Sequence, residues 1–408
     1  VLHLPNVSVT DICNLLGAPD ESAPFVLLES AAQPGRYSII GCLDQNSLKL
    51  SYTLGANQIC LSRGLKSWLE PLGRNDVWSW LKTFMQSHKA NDGDSNIPFW
   101  GGLIGYLGYE LGVESLQIPV MHRKGIPHRR HPDLYLVFVE RSIVVDSLFD
   151  DVYIQSLKTE DDQWIEETAR ILAKVLKPLS ATSPRDLPVP LFSQPPVVHL
   201  PSEEAYKSRI QEAKEHLFAG DSYELCLTAH TRITTYPRQN PTSSSWELYK
   251  RLHRYNPAPY SGYLRLHPST LLSSSPERFL SFTRPPYSRC QLRPIKGTIR
   301  KSPGITREVA ERLLAGSKKE VAENLMIVDL IRHDLHGVVG DDVSVKQFCR
   351  VEEYETIWQM VSVIEGARPI TGLDVDSATL GWEVLKRSLP PGESICHFLV
   401  YSVCDDEF

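Results

Sequence analysis

Three groups of residues in this chain have the types and spacing to do chemistry. The first lies in Gln291-Leu292-Arg293-Pro294-Ile295-Lys296-Gly297-Thr298-Ile299-Arg300. A β-type alternation runs into Lys296, and Gly297 then lets the backbone turn or approach a ligand closely. An amine attacks carbon only when neutral, a state that burial and neighbouring cations favour. Arg293, Arg300 and Lys301 are such neighbours. Lys296 therefore suits attack on carbon or the holding of an anion; the competing reading is a surface lysine on a hairpin. The second group is Glu277, which follows Ser273-Ser274-Ser275-Pro276 at the end of a strand. Burial would raise its pKa and make it a general acid or base; a plain ion pair with Arg278 or Arg293 is the alternative. The third is Glu320 and Glu323, which share one face of a helix. Two hard oxygen donors at that spacing suit Mg²⁺, with waters and a substrate anion completing the shell. Ser317-Lys318-Lys319-Glu320 also matches a capping box, which would give Glu320 a structural role instead.

Other patterns are weaker. Asp341-Asp342 reads as a solvated turn before a metal pair. The 13 histidines form no H-E-x-x-H, and no G-x-S-x-G or G-x-G-x-x-G occurs. The glycines within Phe99 to Tyr109 point to close backbone packing in a buried sheet rather than a phosphate loop. The chain has 408 residues and a net charge of −6, which gives no nucleic-acid footprint. No apolar run approaches the ~18 residues of a membrane helix. Val1-Leu2-His3-Leu4-Pro5 has no secretory signature, and the missing initial methionine suits a piece of a longer polypeptide. The 8 cysteines form no CxxC pair, which argues against zinc or a disulfide framework and for the cytoplasm.

The elements that must position these residues follow from periodicity. Strands are expected over residues 25–62, 134–145 and 152–157, and helices over 76–88 and 162–176. Seven prolines between 177 and 201 mark a linker. It divides an N-terminal region, 1–176, from a second region, 202–408. In the second, Tyr206, Ile210, Ala213 and Leu217 define a helix that Gly220 closes. A strand is expected over 222–228, a helix over 246–254, strands over 262–266 and 270–275, and a helix over 306–315. Ser317 then opens a helix apolar nearly all round. It should be buried, with Asp329, Arg332 and Asp334 in an internal charge network.

Several segments resemble the chorismate-utilising enzymes. They are FVLLESA at 25–31, GRYSIIG at 35–41, GYLGYEL at 105–111, DSYELCLT at 221–228, NPAPYSGYL at 256–264, SSSPERFL at 273–280, PIKGT at 294–298 and ENLMIVDLIRHDL at 323–335. PIKGT resembles the aminodeoxychorismate synthase branch (its component I), where anthranilate synthases typically carry PIAGT. The resemblance implies an α/β (α+β type) fold like anthranilate synthase component I. Two large, mostly antiparallel sheets pack together with helices outside and the site in the cleft between them.

It further implies that Lys296 attacks C2 of chorismate and Glu277 protonates the leaving C4 hydroxyl. Gly297 and Thr298 would line the substrate, and Glu320 and Glu323 would hold Mg²⁺. Ammonia from a glutaminase, a separate subunit or a fused upstream domain, would then give 4-amino-4-deoxychorismate for p-aminobenzoate and folate. A tryptophan-like effector pocket would map to Ser30, Arg36, Tyr37, Ser38, Ile39, Pro259, Tyr260 and Ser261, with core packing between the sheets as the alternative. Two rivals stand beside this reading. One is anthranilate synthase component I; the other is an inactive family member that only binds a glutaminase or tryptophan. Two departures bear on it. Gln359 stands where many members carry histidine. After Leu389-Pro390-Pro391-Gly392 the sequence leaves the pattern of the family's glycine-rich substrate loop. A catalytic region incomplete at its C-terminus is expected to expose apolar faces and sheet edges.

Overall fold

A computed structural model describes residues 1–32, 35–90, 93–115, 131–176, 191–222, 224–236, 244–283, 289–368, 377–389 and 396–402. Among them every strand pairing is antiparallel. One sheet has seven strands in the order β1 (Leu2–His3), β10 (Asp151–Ser156), β9 (Arg141–Asp146), β3 (Tyr37–Gly41), β2 (Phe25–Glu29), β13 (Tyr260–Leu266), β14 (Ser269–Ser275). A second has six: β20 (Cys396–Ser402), β7 (Gly102–Gly108), β8 (Leu134–Val139), β4 (Lys49–Tyr52), β5 (Gln58–Arg63), β6 (Lys66–Pro71).

Alternation along the strands explains why these two sheets stack. Val26 and Ile39 project to one face of the first sheet, where they meet Ile104, Val137 and Val139 of the second. Leu27 and Ile40 project to the other face and pack under helices α1 (Val9–Leu15), α4 (Asp162–Leu172) and α6 (Ser244–Tyr255). A strand buried on both faces reads as a continuous apolar run, as Phe25-Val26-Leu27-Leu28 does. The far face of the second sheet is covered by α2 (Val77–Ser87), α3 (Tyr109–Ser115) and α9 (Ser377–Ser388). The glycines of β7 permit close packing, as expected: a Cβ on Gly105 would fall 2.0 Å from the Tyr135 carbonyl oxygen.

The candidate chemistry sits elsewhere. A third sheet holds β15 (Leu280–Phe282), β16 (Arg289–Leu292), β19 (Ile357–Ala367) and β17 (Ile295–Arg300), and β18 (Val343–Glu353) pairs with the other edge of β19. Helices α7 (Arg307–Leu313), α8 (Lys318–Val339) and α9 pack on it. The space between the two large sheets is a packed apolar core, so the expected cleft there is not where Lys296, Glu320 and Glu323 stand.

Three further expectations are corrected. Residues 224–230 form no strand; among the described residues no strand pairs with them, and the Glu224 and Leu227 carbonyls accept from the Ser222 and Tyr206 hydroxyls instead. The neighbouring helix α5 (Glu203–Ala219) and the two-stranded sheet of β11 (Val197–His199) and β12 (Arg232–Thr234) are also largely exposed. Helix α8 is buried along one stripe, through Asn324, Ile327, Val328, Leu335 and Val339, and exposes Leu325 and Leu330. Its charges follow the same division. Asp329 and Arg332 pair in solvent at 3.7 Å, and Asp334 is 3.9 Å from Arg387 of α9. Much of the proline-rich stretch, 177–190, lies outside the described residues, as do 390–395, where the family-like loop was expected to begin.

Candidate active site

Lys296 is presented by a defect in its strand. Ile295 pairs with Val361 and Thr298 with Gln359, so Lys296 and Gly297 together oppose Met360 alone. That is a β-bulge, which re-aims side chains. Gly297 takes φ 81°, open to glycine and strained for other residues. A Cβ built there would lie 2.9 Å from Glu320 Oε2 and 2.9 Å from Leu314 Cδ2. The missing side chain is what lets the start of α8 approach the lysine's strand.

Glu277 arrives from the turn after β14, where Ser275 Oγ accepts its backbone N–H at 3.1 Å. Burial raises its pKa. The Lys296 charge and a hydrogen bond from the Ile295 backbone amide pull it back part of the way. Glu277 is thus held against the Ile295 amide, one residue before Lys296, and feels the lysine's charge. The arginines that could have claimed the glutamate are engaged elsewhere. Arg278 donates to Gln291 Oε1, and Arg293 donates to both oxygens of Glu352 at 2.8 and 2.9 Å.

The capping motif on α8 is half used. Ser317 Oγ accepts the Glu320 N–H at 3.4 Å, but the Ser317 N–H donates to the Leu314 carbonyl. The Glu320 carboxylate is left to face Gly297. Lys319 Nζ lies 3.7 Å from Glu320 and 3.2 Å from Glu323, so one cation already bridges the two carboxylates. Both are partly exposed, and no group of three acidic, histidine or cysteine ligands exists among the described residues. Two carboxylates with water access fit Mg²⁺, which keeps several waters and uses few protein ligands. Asp341 and Asp342 do not join them: both are exposed, and Asp341 pairs with His336 at 2.9 Å.

Thr298 Oγ1 accepts from Gln359 Nε2 at 3.2 Å, and the buried Gln359 Oε1 has no partner among the described residues. Opposite sequence-distant partners such as Ser362 and Asn324 were not singled out by their types, although both are fully buried polar residues. A short polar residue inside an apolar run, as Ser362 is within Met360 to Ile364, was the available signal.

The tryptophan-like set is divided. Ser30 donates from Oγ to the Pro259 carbonyl at 3.4 Å and from its N–H to Ser38 Oγ at 3.1 Å. Ser261 pairs with Glu29 across β13 and β2, which brings the serines and Pro259 to one place. Arg36 is drawn off by Asp146, at 2.9 and 2.6 Å. Tyr37 and Ile39 point into the core between the sheets. Tyr260 lies close enough to Tyr354 to raise that phenol's pKa, along with burial and Glu352. Glu29 has a pKa raised by burial, against the opposing effects of His253 at 3.4 Å and the Tyr249 hydroxyl at 2.7 Å.

Residues 23–394 match the family described as chorismate binding enzyme. The chain is 35% identical over 333 residues to the aminodeoxychorismate synthase of Saccharomyces cerevisiae, covering 78% of this chain and 40% of that protein. To aminodeoxychorismate synthase component 1 of Salmonella typhimurium it is 31% identical over 279 residues, 68% of this chain and 56% of that protein. The chain thus spans about half the length of these curated relatives. In fold it resembles the crystal structure of anthranilate synthase component I from Streptococcus pneumoniae, with a TM-score of 0.65 at 20% identity over 88% of this chain and 73% of that one.

Proposed function

Because the chain belongs to the chorismate binding enzyme family, we propose that it aminates chorismate at C4 to 4-amino-4-deoxychorismate, toward p-aminobenzoate and folate. The observation that carries this reading is the bulge itself: it brings Glu320 against Gly297, and the amide of Ile295, next to Lys296, holds the buried Glu277 carboxyl. A proton passing from the Lys296 ammonium to the Glu277 carboxylate would create both reactive forms at once, a neutral amine and a carboxylic acid. Burial of Glu277 favours its acid form. The Lys296 nitrogen then bonds to C2 of the ring, both conjugated double bonds shift by one position, and the C4 hydroxyl leaves as water with the Glu277 proton. Ammonia adds at C4 and gives a proton to the Glu277 carboxylate, both double bonds return, and the C2–nitrogen bond breaks to free Lys296. Thr298 lines the substrate and is held by Gln359. Glu320 and Glu323 would hold Mg²⁺, which when bound supplies positive charge for a substrate carboxylate.

Ammonia would come from a glutaminase, as a separate subunit or as part of a longer chain. The free state of Cys13, Cys42, Cys60, Cys226, Cys290 and Cys349 supports a reducing, cytoplasmic setting. The test is chromatographic. The chain, supplied with chorismate, ammonium and Mg²⁺, should yield aminodeoxychorismate. Lys296→Ala should lower turnover by at least about 10³-fold, the scale of losing a nucleophile that works as a unit with its acid. Anthranilate as the product would instead assign the neighbouring activity. Undiminished turnover in Lys296→Ala would remove the covalent step.

A further inference from the structure

We propose that Ser362 and Asn324 form a positioning pair that sets the separation between the Lys296 bulge and the carboxylates of Glu320 and Glu323; this rests on the reading of those residues given above. Both are fully buried, Ser362 on β19 and Asn324 on α8. Ser362 touches three elements at once. Its N–H donates to the Pro294 carbonyl at 3.1 Å, just ahead of the bulge. Its hydroxyl donates to Asn324 Oδ1. Ser362 Oγ also accepts the N–H of Cys349 at 3.0 Å. Cys349 sits at φ 53° where the β18 register shifts between Gln347 and Arg350. The irregular stretches on both sides of β19 are therefore fastened to one residue, Ser362, whose backbone N–H holds Pro294 and whose hydroxyl holds Cys349.

On α8, Asn324 lies one turn after Glu320 and directly follows Glu323. Holding its amide fixes the rotation of the helix's opening turns. That rotation decides whether Glu320 faces Gly297 or turns away, because residues i and i+4 move together. Stability alone gives little reason for this arrangement. Asn324 Nδ2 has no partner among the described residues, and a half-satisfied amide in a dry interior is costly. An apolar residue of similar volume would pack there at least as well. A buried polar group kept in such a place serves as a registry device.

The test uses the full chain with two measurements on Ser362→Ala, Asn324→Leu and Ser362→Thr. Hydrogen exchange over residues 294–300 reads the link itself. It should quicken at least about fivefold in Asn324→Leu, although the change lies on α8 and the leucine leaves the melting temperature unchanged or raised. Exchange unchanged in that segment overturns the proposal. Isothermal calorimetry with Mg²⁺ alone reads the consequence. Ser362→Ala should bind Mg²⁺ about tenfold more weakly, as loss of a supporting contact behind a metal ligand does. Ser362→Thr, which keeps the hydroxyl, should restore most of that affinity. Glu320→Gln separates the two failures. If it binds Mg²⁺ as the unaltered chain does, the reading of the carboxylates falls and takes this proposal with it. If it loses binding while Ser362→Ala keeps full affinity, the proposal alone falls. Should Ser362→Ala not fold, Asn324→Leu is measured in its place for Mg²⁺, with the same two outcomes.

Discussion

The stacked pair of large sheets and the bulged third sheet differ in how they treat buried polar groups. In the stacked pair most are matched, with Glu29, whose pKa burial raises, as an exception. Arg36 grips Asp146 at 2.9 and 2.6 Å, and although burial pushes Asp146 up, the guanidinium prevails and holds the carboxyl below its usual range. Arg141 does the same for Asp161. Arg265, fully buried, leaves one nitrogen unpartnered but donates to the carbonyls of Ala18 and Ala23 and to the Tyr263 hydroxyl. In the third sheet and the helix packed on it, Gln359 Oε1, Asn324 Nδ2 and Trp358 Nε1 are buried without partners among the described residues, and Glu277 is pushed toward its neutral form. Strands there are bulged where the others run in register. One region is built to hold shape; the other accepts cost where groups must be held in reactive states.

Breaking the first region should therefore cost stability without touching chemistry. Leu27 is fully buried on β2. Leu27→Ala is expected to lower unfolding free energy by ~2–5 kcal/mol in urea titration. Turnover per folded molecule should stay within about twofold, since none of Lys296, Glu277, Glu320 and Glu323 lies in that sheet. A large loss of turnover in fully folded variant would mean that the two regions are coupled, and the contrast would fail. Gly297→Ala strikes the second region. Its positive φ and the two atoms 2.9 Å from the added Cβ force either the bulge or Glu320 to move. Expected is a loss of about 10- to 100-fold in turnover, roughly 1.4–2.7 kcal/mol of barrier, with a smaller loss of stability than Leu27→Ala. Equal turnover in the variant would show that the approach of α8 to the bulge is not needed.

The same contrast explains what was legible beforehand. The unbroken run at Phe25 to Leu28 announced a strand covered on both faces, and helix α2 was visible from Val77, Leu81 and Phe84. Gly220 closes α5 at φ 80° because only a residue without Cβ enters that region freely. Regular, well-buried elements repeat their pattern locally. Residues 224–230 and the exposed side of α8 misled, since an apolar sequence does not say which neighbour will cover it. At the site, the weak point at Gly297 could be seen, but its approach to Glu320 crosses two elements. Arg36 looked available for a ligand because Asp146 is far away in sequence. Ser362 and Asn324 were silent for the same reason, their roles being made entirely by partners on other elements.

Glu277 gives the finest test of the contrast, through pH. Burial raises its pKa, and the opposing effects of Lys296 and the Ile295 amide do not cancel that rise. A carboxyl whose pKa is higher in the folded chain than in the unfolded one binds its proton more tightly when folded. Its stabilising contribution is fully present below the unfolded value of ~4.3 and is lost as pH rises through the folded value. Ionising this carboxyl as pH rises therefore costs stability, because its surroundings favour the acid. Glu277→Gln removes that titration while keeping the shape. The variant is expected to melt slightly above the unaltered chain at pH 7, with the gap closing as pH falls toward 4, where the glutamate is protonated. Asp161→Asn in the stacked pair should behave the other way, costing most at neutral pH and least in acid, because Arg141 lowers that carboxyl's pKa. Melting curves of both variants across that range supply the comparison. If Glu277→Gln instead destabilises the chain most at pH 7, the attraction to Lys296 outweighs desolvation. The glutamate would then be a structural ion-pair partner like Asp161, and the two regions would not differ in kind.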